Sequence, residues 1–202
     1  MSNRNYEYHA LGSYKENIFK LLVNDGERSD LLMDILMPVI EDERFDKIDN
    51  FIGGSFEYIQ DGKVELVDLK QHLFDVPFIY STVTDTRNVI CLDTNLNSCS
   101  QSLKEMKIEI SVMCHKEAMP LDLNTRLKYK KLGYIGRNRL DIAVAIIGDI
   151  INRSSEFGIG KLCPNKYDPV KSYYFSHEFF GKILTYTCSD FMKNHTVMTD
   201  EK

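Results

Sequence analysis

Residues 104–117 read KEMKIEISVMCHKE, a stretch in which a cysteine and a histidine follow a run of alternating residues. Apolar and polar residues alternate along it, which is typical of a β-strand with one face in a core. One face holds apolar residues: Ile108, Ile110, Val112 and Cys114. The other face is more polar: Lys107, Glu109, Ser111, Met113 and His115. The alternation therefore predicts a buried Cys114 and a surface His115.

The adjacent Cys114 and His115 raise the question of a metal or catalytic site. Neighbouring strand residues point to opposite faces, so these two side chains do not converge on one metal ion. The other histidines show no ligand spacing: His9, His72, His177 and His195. We therefore expect an ordinary strand end here, with no metal ligand, no catalytic residue and no cofactor.

Two hairpins are predicted around this strand. Residues 88–96 form its partner strand, the polar turn is 97–102, and the returning strand is 106–115. Upstream, residues 55–80 look extended, and Asp61-Gly62 between two alternating runs is a hairpin signal.

Two helices are predicted near the N-terminus. Ser13 and Glu16 have the spacing of a capping box, which places the start of the first helix at Ser13. Residues 24–26 end this helix. The second helix is expected to begin at Ser29 or the next residue and to break before Pro38.

The second half of the chain begins with a long connection, residues 116–136, which contains one proline and two glycines. Asn138 is then expected to cap a helix that runs to about Asn152 and carries a broad apolar stripe. The remaining pattern predicts a strand, a loop and a last strand: 157–163, 164–175 and 179–188.

This order of elements predicts an α+β fold, a mostly antiparallel β-sheet packed against helices, with long loops or arms. The length suits a single domain covering residues 1–202. We expect an N-terminal helical part (1–54), a sheet-and-helix core (55–191) and a flexible tail (192–202).

The composition of the chain limits the kinds of function that it can have. The 202 residues are 43% hydrophobic, and the formal net charge is −5, which argues against coating nucleic acid over the whole surface. The five cysteines form neither a disulfide framework nor a zinc pattern. The N-terminus has no secretory pattern, and residues 142–151 are too short to span a bilayer. These features predict a soluble protein made inside a cell.

Two stretches resemble functional motifs. Residues 157–162 read FGIGKL, but a phosphate-binding loop needs GxxxxGK followed by Ser or Thr and a helix.

Residues 126–139 hold six basic residues, no acidic residue and two tyrosines, so they can contact phosphates and stack bases. The alternative is a solvated arm that meets an acidic neighbouring subunit. No metalloprotease, hydrolase or paired-carboxylate signature is present.

Three stretches carry a resemblance to a known family. They are LFDVPFIYSTVTDTRNVICLDTNL (73–96), KEMKIEISVMCHKE (104–117), and NRLDIAVAIIGDIINRSSEFGIGKL (138–162) with GKILTYTCSDF (181–191). Together they resemble the tail-terminator and neck proteins of long-tailed bacteriophages. The resemblance covers about residues 73–191 and leaves 1–60 and 116–136 as additions.

The resemblance implies a structural protein of the virion, without an active site. Such proteins form a ring, commonly a hexamer, that caps the tail tube and joins it to the neck or head connector. The implied partners are further copies of the chain, the tail tube protein and the neck or connector proteins, with DNA passing through the lumen without specific binding and no membrane involved. Candidate interface residues are Arg126, Lys128, Lys130, Lys131, Arg137, Tyr173, Tyr174 and Phe175. The aromatic members either anchor an interface or pack on their own domain.

Overall fold

A computed structural model of the chain describes residues 3–37, 44–60, 62–75, 86–98, 104–153, 155, 161–174 and 176–188. The helices are α1 (Asn3–Asn24), α2 (Glu27–Leu36), α3 (Lys47–Ile52), α4 (Leu123–Lys131) and α5 (Arg139–Asn152). The strands are β1 (Gly54–Gln60), β2 (Lys63–Leu69), β3 (Leu73–Phe74), β4 (Asn88–Ser98), β5 (Lys104–His115), β6 (Cys163–Pro164), β7 (Val170–Tyr174) and β8 (Phe179–Cys188).

Strand β5 lies at the centre of a six-stranded sheet. The strand order is β3-β4-β5-β8-β6, and β7 also pairs with β8. β4 and β5 are antiparallel, with Asn88 opposite Cys114, and this confirms the predicted hairpin. Among the described strands, the short β3 alone pairs in parallel, with β4. The sheet is therefore mixed but mostly antiparallel, and the predicted α+β class is confirmed.

The apolar face of β5 lies beneath the helices. Its four predicted core residues are completely buried, in one cluster with apolar residues of α1, α2 and α5. α5 contributes seven buried residues: Leu140, Ile142, Ala143, Ile146, Ile147, Ile150 and Ile151. Each fully buried side chain of this size stabilises the fold by about 1.5–3 kcal/mol. The alternation in β5 and the apolar stripe of α5 therefore meet in the main core.

Helix α5 begins where the sequence predicts. The Asn138 side-chain oxygen accepts a hydrogen bond from the Asp141 backbone N–H at 2.8 Å, which satisfies one of the free donors of the first turn. Lys182 on β8 forms an ion pair with Asp141 at 2.6 Å. At the other end Arg153 lies 2.8 Å from Asp25, in the turn between α1 and α2. Both ends of α5 are therefore tied to other elements.

The predicted starts of the first two helices are wrong. α1 begins at Asn3, so Ser13 lies inside the helix: Gly12 before it weakens a helix without ending it, and no proline interrupts residues 3–24. α2 begins at Glu27 after Gly26, whose φ of 60° is the left-handed conformation that glycine adopts easily. Ser29 accepts a hydrogen bond from the Asp25 backbone N–H at 2.8 Å, so it caps the turn before the helix. The expected end near Met37 is confirmed.

Two segments predicted as connections contain regular structure. Within 116–136 the chain forms α4, which has one buried residue, Tyr129, and so shows no apolar periodicity. Within 164–175 it forms β7, which pairs antiparallel with β8. α4 is held by α2, far away in sequence, whereas β7 pairs with β8, the strand that follows it.

The hairpin β1-β2 forms a two-stranded sheet apart from the six-stranded one. Its register runs from Gly54 opposite Leu69 to Gln60 opposite Lys63, so the predicted hairpin is confirmed, while Asp61 lies outside the described residues. At its base, Gly53 adopts a φ of 77°, and an added Cβ would lie 2.6 Å from the Gln71 Cα atom. Only glycine fits there, and the hairpin projects from this point as an arm.

Candidate interaction surfaces

Helix α4 carries most of the predicted basic residues. Asp122 caps its first turn, and Tyr129 attaches it to α2. The Asp122 carboxylate accepts hydrogen bonds from the backbone N–H and the hydroxyl of Thr125, and these bonds lower the pKa of Asp122. The Tyr129 hydroxyl donates to the Leu31 carbonyl oxygen at 3.0 Å. Burial, followed by the nearby charge of Asp34, raises the pKa of Tyr129. The tyrosine is therefore a neutral donor that holds α4 on α2.

The basic residues of 126–139 separate into three groups. Arg139 turns inward and donates to the Ile35 carbonyl oxygen at the end of α2 at 3.2 Å, and its burial lowers its pKa. Lys128 lies 3.5 Å from Asp34. The others are exposed, and within the described part of the chain no ion pair involves them: Arg126, Lys130, Lys131 and Arg137. The free positive charge is therefore concentrated on α4 and the loop after it.

The two tyrosines of this stretch do not lie on its surface. Tyr129 and Tyr134 are both buried. Burial and a hydrogen bond with Asp149 raise the pKa of Tyr134. The expectation that these rings stack on bases is wrong, because neither face is accessible. The exposed side chains near the basic residues are aliphatic instead: Leu123, Leu127, Leu132 and Ile135.

The predicted aromatic surface is divided between the solvent and the fold. Tyr173 and Tyr174 lie on β7 and are exposed. The ring of Tyr174 contacts Phe180 edge to face, with centroids 5.3 Å apart. Phe179 is buried. Phe175 lies outside the described residues. β7 is anchored on β8 whereas α4 is anchored on α2, so the predicted interface residues form two separate surfaces.

A third surface, on the β1-β2 arm, is absent from the sequence prediction. Ile59, Val64 and Leu66 are 71%, 65% and 65% exposed. Ile59 lies opposite Val64, and Leu66 lies opposite Glu57, so all of these side chains share one face. The alternation on each side of Asp61-Gly62 indicates that the arm has an apolar face. Alternation alone does not show whether that face packs in the core or is exposed to solvent.

Cys114 and His115 are not arranged as a metal-binding or catalytic pair. Cys114 is completely buried, and burial raises its pKa to about 12, so the thiol stays protonated and unreactive. The prediction of a surface His115 is wrong. His115 is buried, and its ring lies 5.2 Å from Phe179. This end of the second sheet face carries a small apolar cluster of its own: Val89, Cys91, Met113 and Phe179.

Other candidate groups are distributed along the sheet. Asp93 accepts hydrogen bonds from the Thr94 backbone N–H at 2.9 Å and the Asn95 amide at 3.2 Å. The glycines of the motif-like stretch 157–162 lie outside the described residues. Within the described residues, no three His, Cys, Asp or Glu side chains form a group that could hold a metal ion. No helix in that same part of the chain is long and apolar enough to cross a membrane.

Comparison with known proteins gives one match. The model of the YomW family matches residues 16–188, which include every helix and strand described above except the start of α1. No curated protein matches the chain, and no solved structure matches it. The match extends across the N-terminal helices, the arm and α4, so these parts belong to the same family unit as the sheet.

Proposed function

This chain belongs to the YomW family, a phage-derived family, and from that membership we propose that it is a structural protein of a long-tailed phage particle. In this role it forms a ring, of the tail-terminator or neck type, at the junction of head and tail. It has no catalytic activity. Its partners are other copies of itself, the tail tube protein and the neck or connector proteins. It works in the virion after assembly in the host cytoplasm.

The observation that carries this proposal is the combination of a phage family with three exposed surfaces on one small fold. Exposed aliphatic residues lie beside free basic residues on α4, exposed tyrosines lie on β7, and exposed aliphatic residues line the arm. Apolar groups left in water favour association, and aromatic and basic residues are common at interfaces. A ring subunit needs at least two different surfaces, because head-to-tail contacts join unlike faces.

The first experiment is the absolute mass of the purified protein by light scattering at two salt concentrations. Six copies of a 23.4 kDa chain give about 140 kDa. A closed ring holds one mass over a range of protein concentration, whereas open association grows with concentration. A ring can also form only on the tail tube, so the mass is read together with the particle experiment described next.

The second experiment removes the protein from a phage that encodes it and examines the particles by electron microscopy. Loss of a tail terminator leaves tubes of uncontrolled length, because nothing stops polymerisation. Loss of a neck protein leaves tails of normal length that are not joined to heads. Normal particles, or absence of the chain from purified wild-type virions, would contradict the structural role.

The exposed basic residues of 126–139 also favour a second candidate, a nucleic-acid-binding protein. Neutralising Arg126, Lys130, Lys131 and Arg137 is expected to abolish a salt-dependent affinity for DNA or RNA. The matched control neutralises Lys161 and Lys166, two exposed lysines that follow α5 in the sequence. Equal binding by both variants, or none by the wild type, removes this candidate.

A further inference from the structure

The β1-β2 arm exposes an apolar face. It is a two-stranded sheet of seven residues in each strand, and such a hairpin is only marginally stable alone in water. Leu69 at its base is buried, and Glu65 in the middle of β2 forms an ion pair with Arg44 at 3.2 Å. Beyond the base, Ile59, Val64 and Leu66 remain exposed on one face.

The arm is acidic. Residues 54–69 contain one lysine and four carboxylates, which gives a formal charge of −3. Glu57 lies on the same face as the exposed aliphatic residues, directly opposite Leu66. Within the described residues, no ion pair involves Glu57. An apolar stripe edged with unpaired negative charge is suited to an apolar surface edged with positive charge.

Helix α4 provides such a surface. Residues 123–131 contain four basic residues and no acidic residue. Leu123, Leu127 and Lys131 are spaced four residues apart, so they form one exposed line along the helix. Lys130 lies beside that line, and neither lysine has an ion pair among the described residues. The surface therefore has an aliphatic stripe edged with free positive charge.

We propose that the β1-β2 arm of one copy docks on the α4 surface of the next copy. The aliphatic residues of both surfaces are exposed in the single chain, so the two surfaces do not cover each other within it. They differ in sequence and charge, so the contact is head to tail, the type that closes into a ring. This inference rests on the proposed self-assembly and identifies the surfaces that carry it.

Charge reversal tests the pairing. The arm variant carries Glu57→Lys, at the carboxylate on the aliphatic face, and the α4 variant carries Lys130→Glu and Lys131→Glu. Each variant alone places like charges opposite each other, and we expect association to weaken by about a hundredfold. Combining the three substitutions in one chain, or mixing the two variants, restores opposite charges and the wild-type mass. The matched control, Lys161→Glu with Lys166→Glu, is expected to keep that mass.

Each outcome supports or contradicts the contact between the β1-β2 arm and α4. Loss of assembly in both variants with recovery in the combination supports it. If the wild-type chain is monomeric in solution, the same variants are compared by their incorporation into phage particles. Variants that assemble normally overturn the contact, and so does a combination that fails to recover. A ring that is unaffected by the substitutions leaves the structural role standing without this contact. Loss of DNA binding alone in the α4 variant assigns that surface to nucleic acid instead.

Discussion

The ion pair of Asp25 with Arg153 gives the most quantitative test of the fold. It joins the turn between α1 and α2 to the end of α5, with the Asp25 Oδ1 atom 2.8 Å from Arg153. The Asp25 side chain is 2% exposed, whereas that of Arg153 is 38% exposed. Removing the arginine therefore leaves a buried carboxylate, while removing the aspartate leaves a cation that water can reach.

This asymmetry sets the expected magnitudes. Breaking a buried pair by removing one partner costs about 3–5 kcal/mol. For Arg153→Met we expect about 2–3 kcal/mol, because the pair is partly exposed and Arg28 lies 3.9 Å from Asp25 as a second cation. For Asp25→Asn we expect about 1 kcal/mol, because the amide keeps the shape and Arg153 becomes solvated. The double variant should cost less than the sum of the two.

Urea unfolding followed by circular dichroism measures these costs. With a slope of about 2 kcal/mol per M, a loss of 2 kcal/mol lowers the midpoint by ~1 M. All three variants need the same slope as the wild type for the comparison to hold. The reasoning is refuted if Asp25→Asn is more destabilising than Arg153→Met, or if the two single effects add exactly in the double variant.

Three other predictions concern single groups. Tyr129→Phe removes the hydrogen bond to the Leu31 carbonyl and should cost about 1 kcal/mol, seen as a melting temperature lower by ~2–4 °C; an unchanged temperature would contradict its role as the anchor of α4. Burial raises the pKa of Tyr186 from 10.0 to about 12, so its contribution to stability is complete below pH 10 and is lost as the pH rises towards 12. The urea midpoint should fall over that interval, and less steeply in Tyr186→Phe. Iodoacetamide should modify the exposed Cys163 in the native protein but Cys91, Cys114 and Cys188 only after unfolding, as read by mass spectrometry; equal labelling would show that the sheet does not protect them.

The parts of the fold that depend on local chemistry were predictable. The alternation in β5 and the Asn138 cap of α5 are contained within a few residues, and the structure places both as expected. The boundaries at Ser13 and Ser29 were not predictable from the same signals. A serine before a helical pattern favours a cap, but the backbone on its N-terminal side decides whether the helix starts there.

The candidate surfaces were predictable only in composition. The cluster of basic residues is visible in the sequence, and so are the adjacent tyrosines of β7. The sequence does not show that Arg139 and Tyr129 face inward, because their partners, the Ile35 and Leu31 carbonyl oxygens, lie about a hundred residues away. The alternation on each side of Asp61-Gly62 predicts a hairpin but does not show whether its apolar face is buried, because that also depends on distant parts of the chain.

The α+β class, the central hairpin and the helix that covers it could be predicted from the sequence, because periodicity, turns and caps are local properties. The tertiary structure alone decided that α4 and β7 are ordered, that His115 is buried, and that the arm stands apart from the sheet. Each of these depends on what lies opposite the segment in space. The pattern of a segment shows which side chains favour burial, whereas only the folded chain shows which of them are buried.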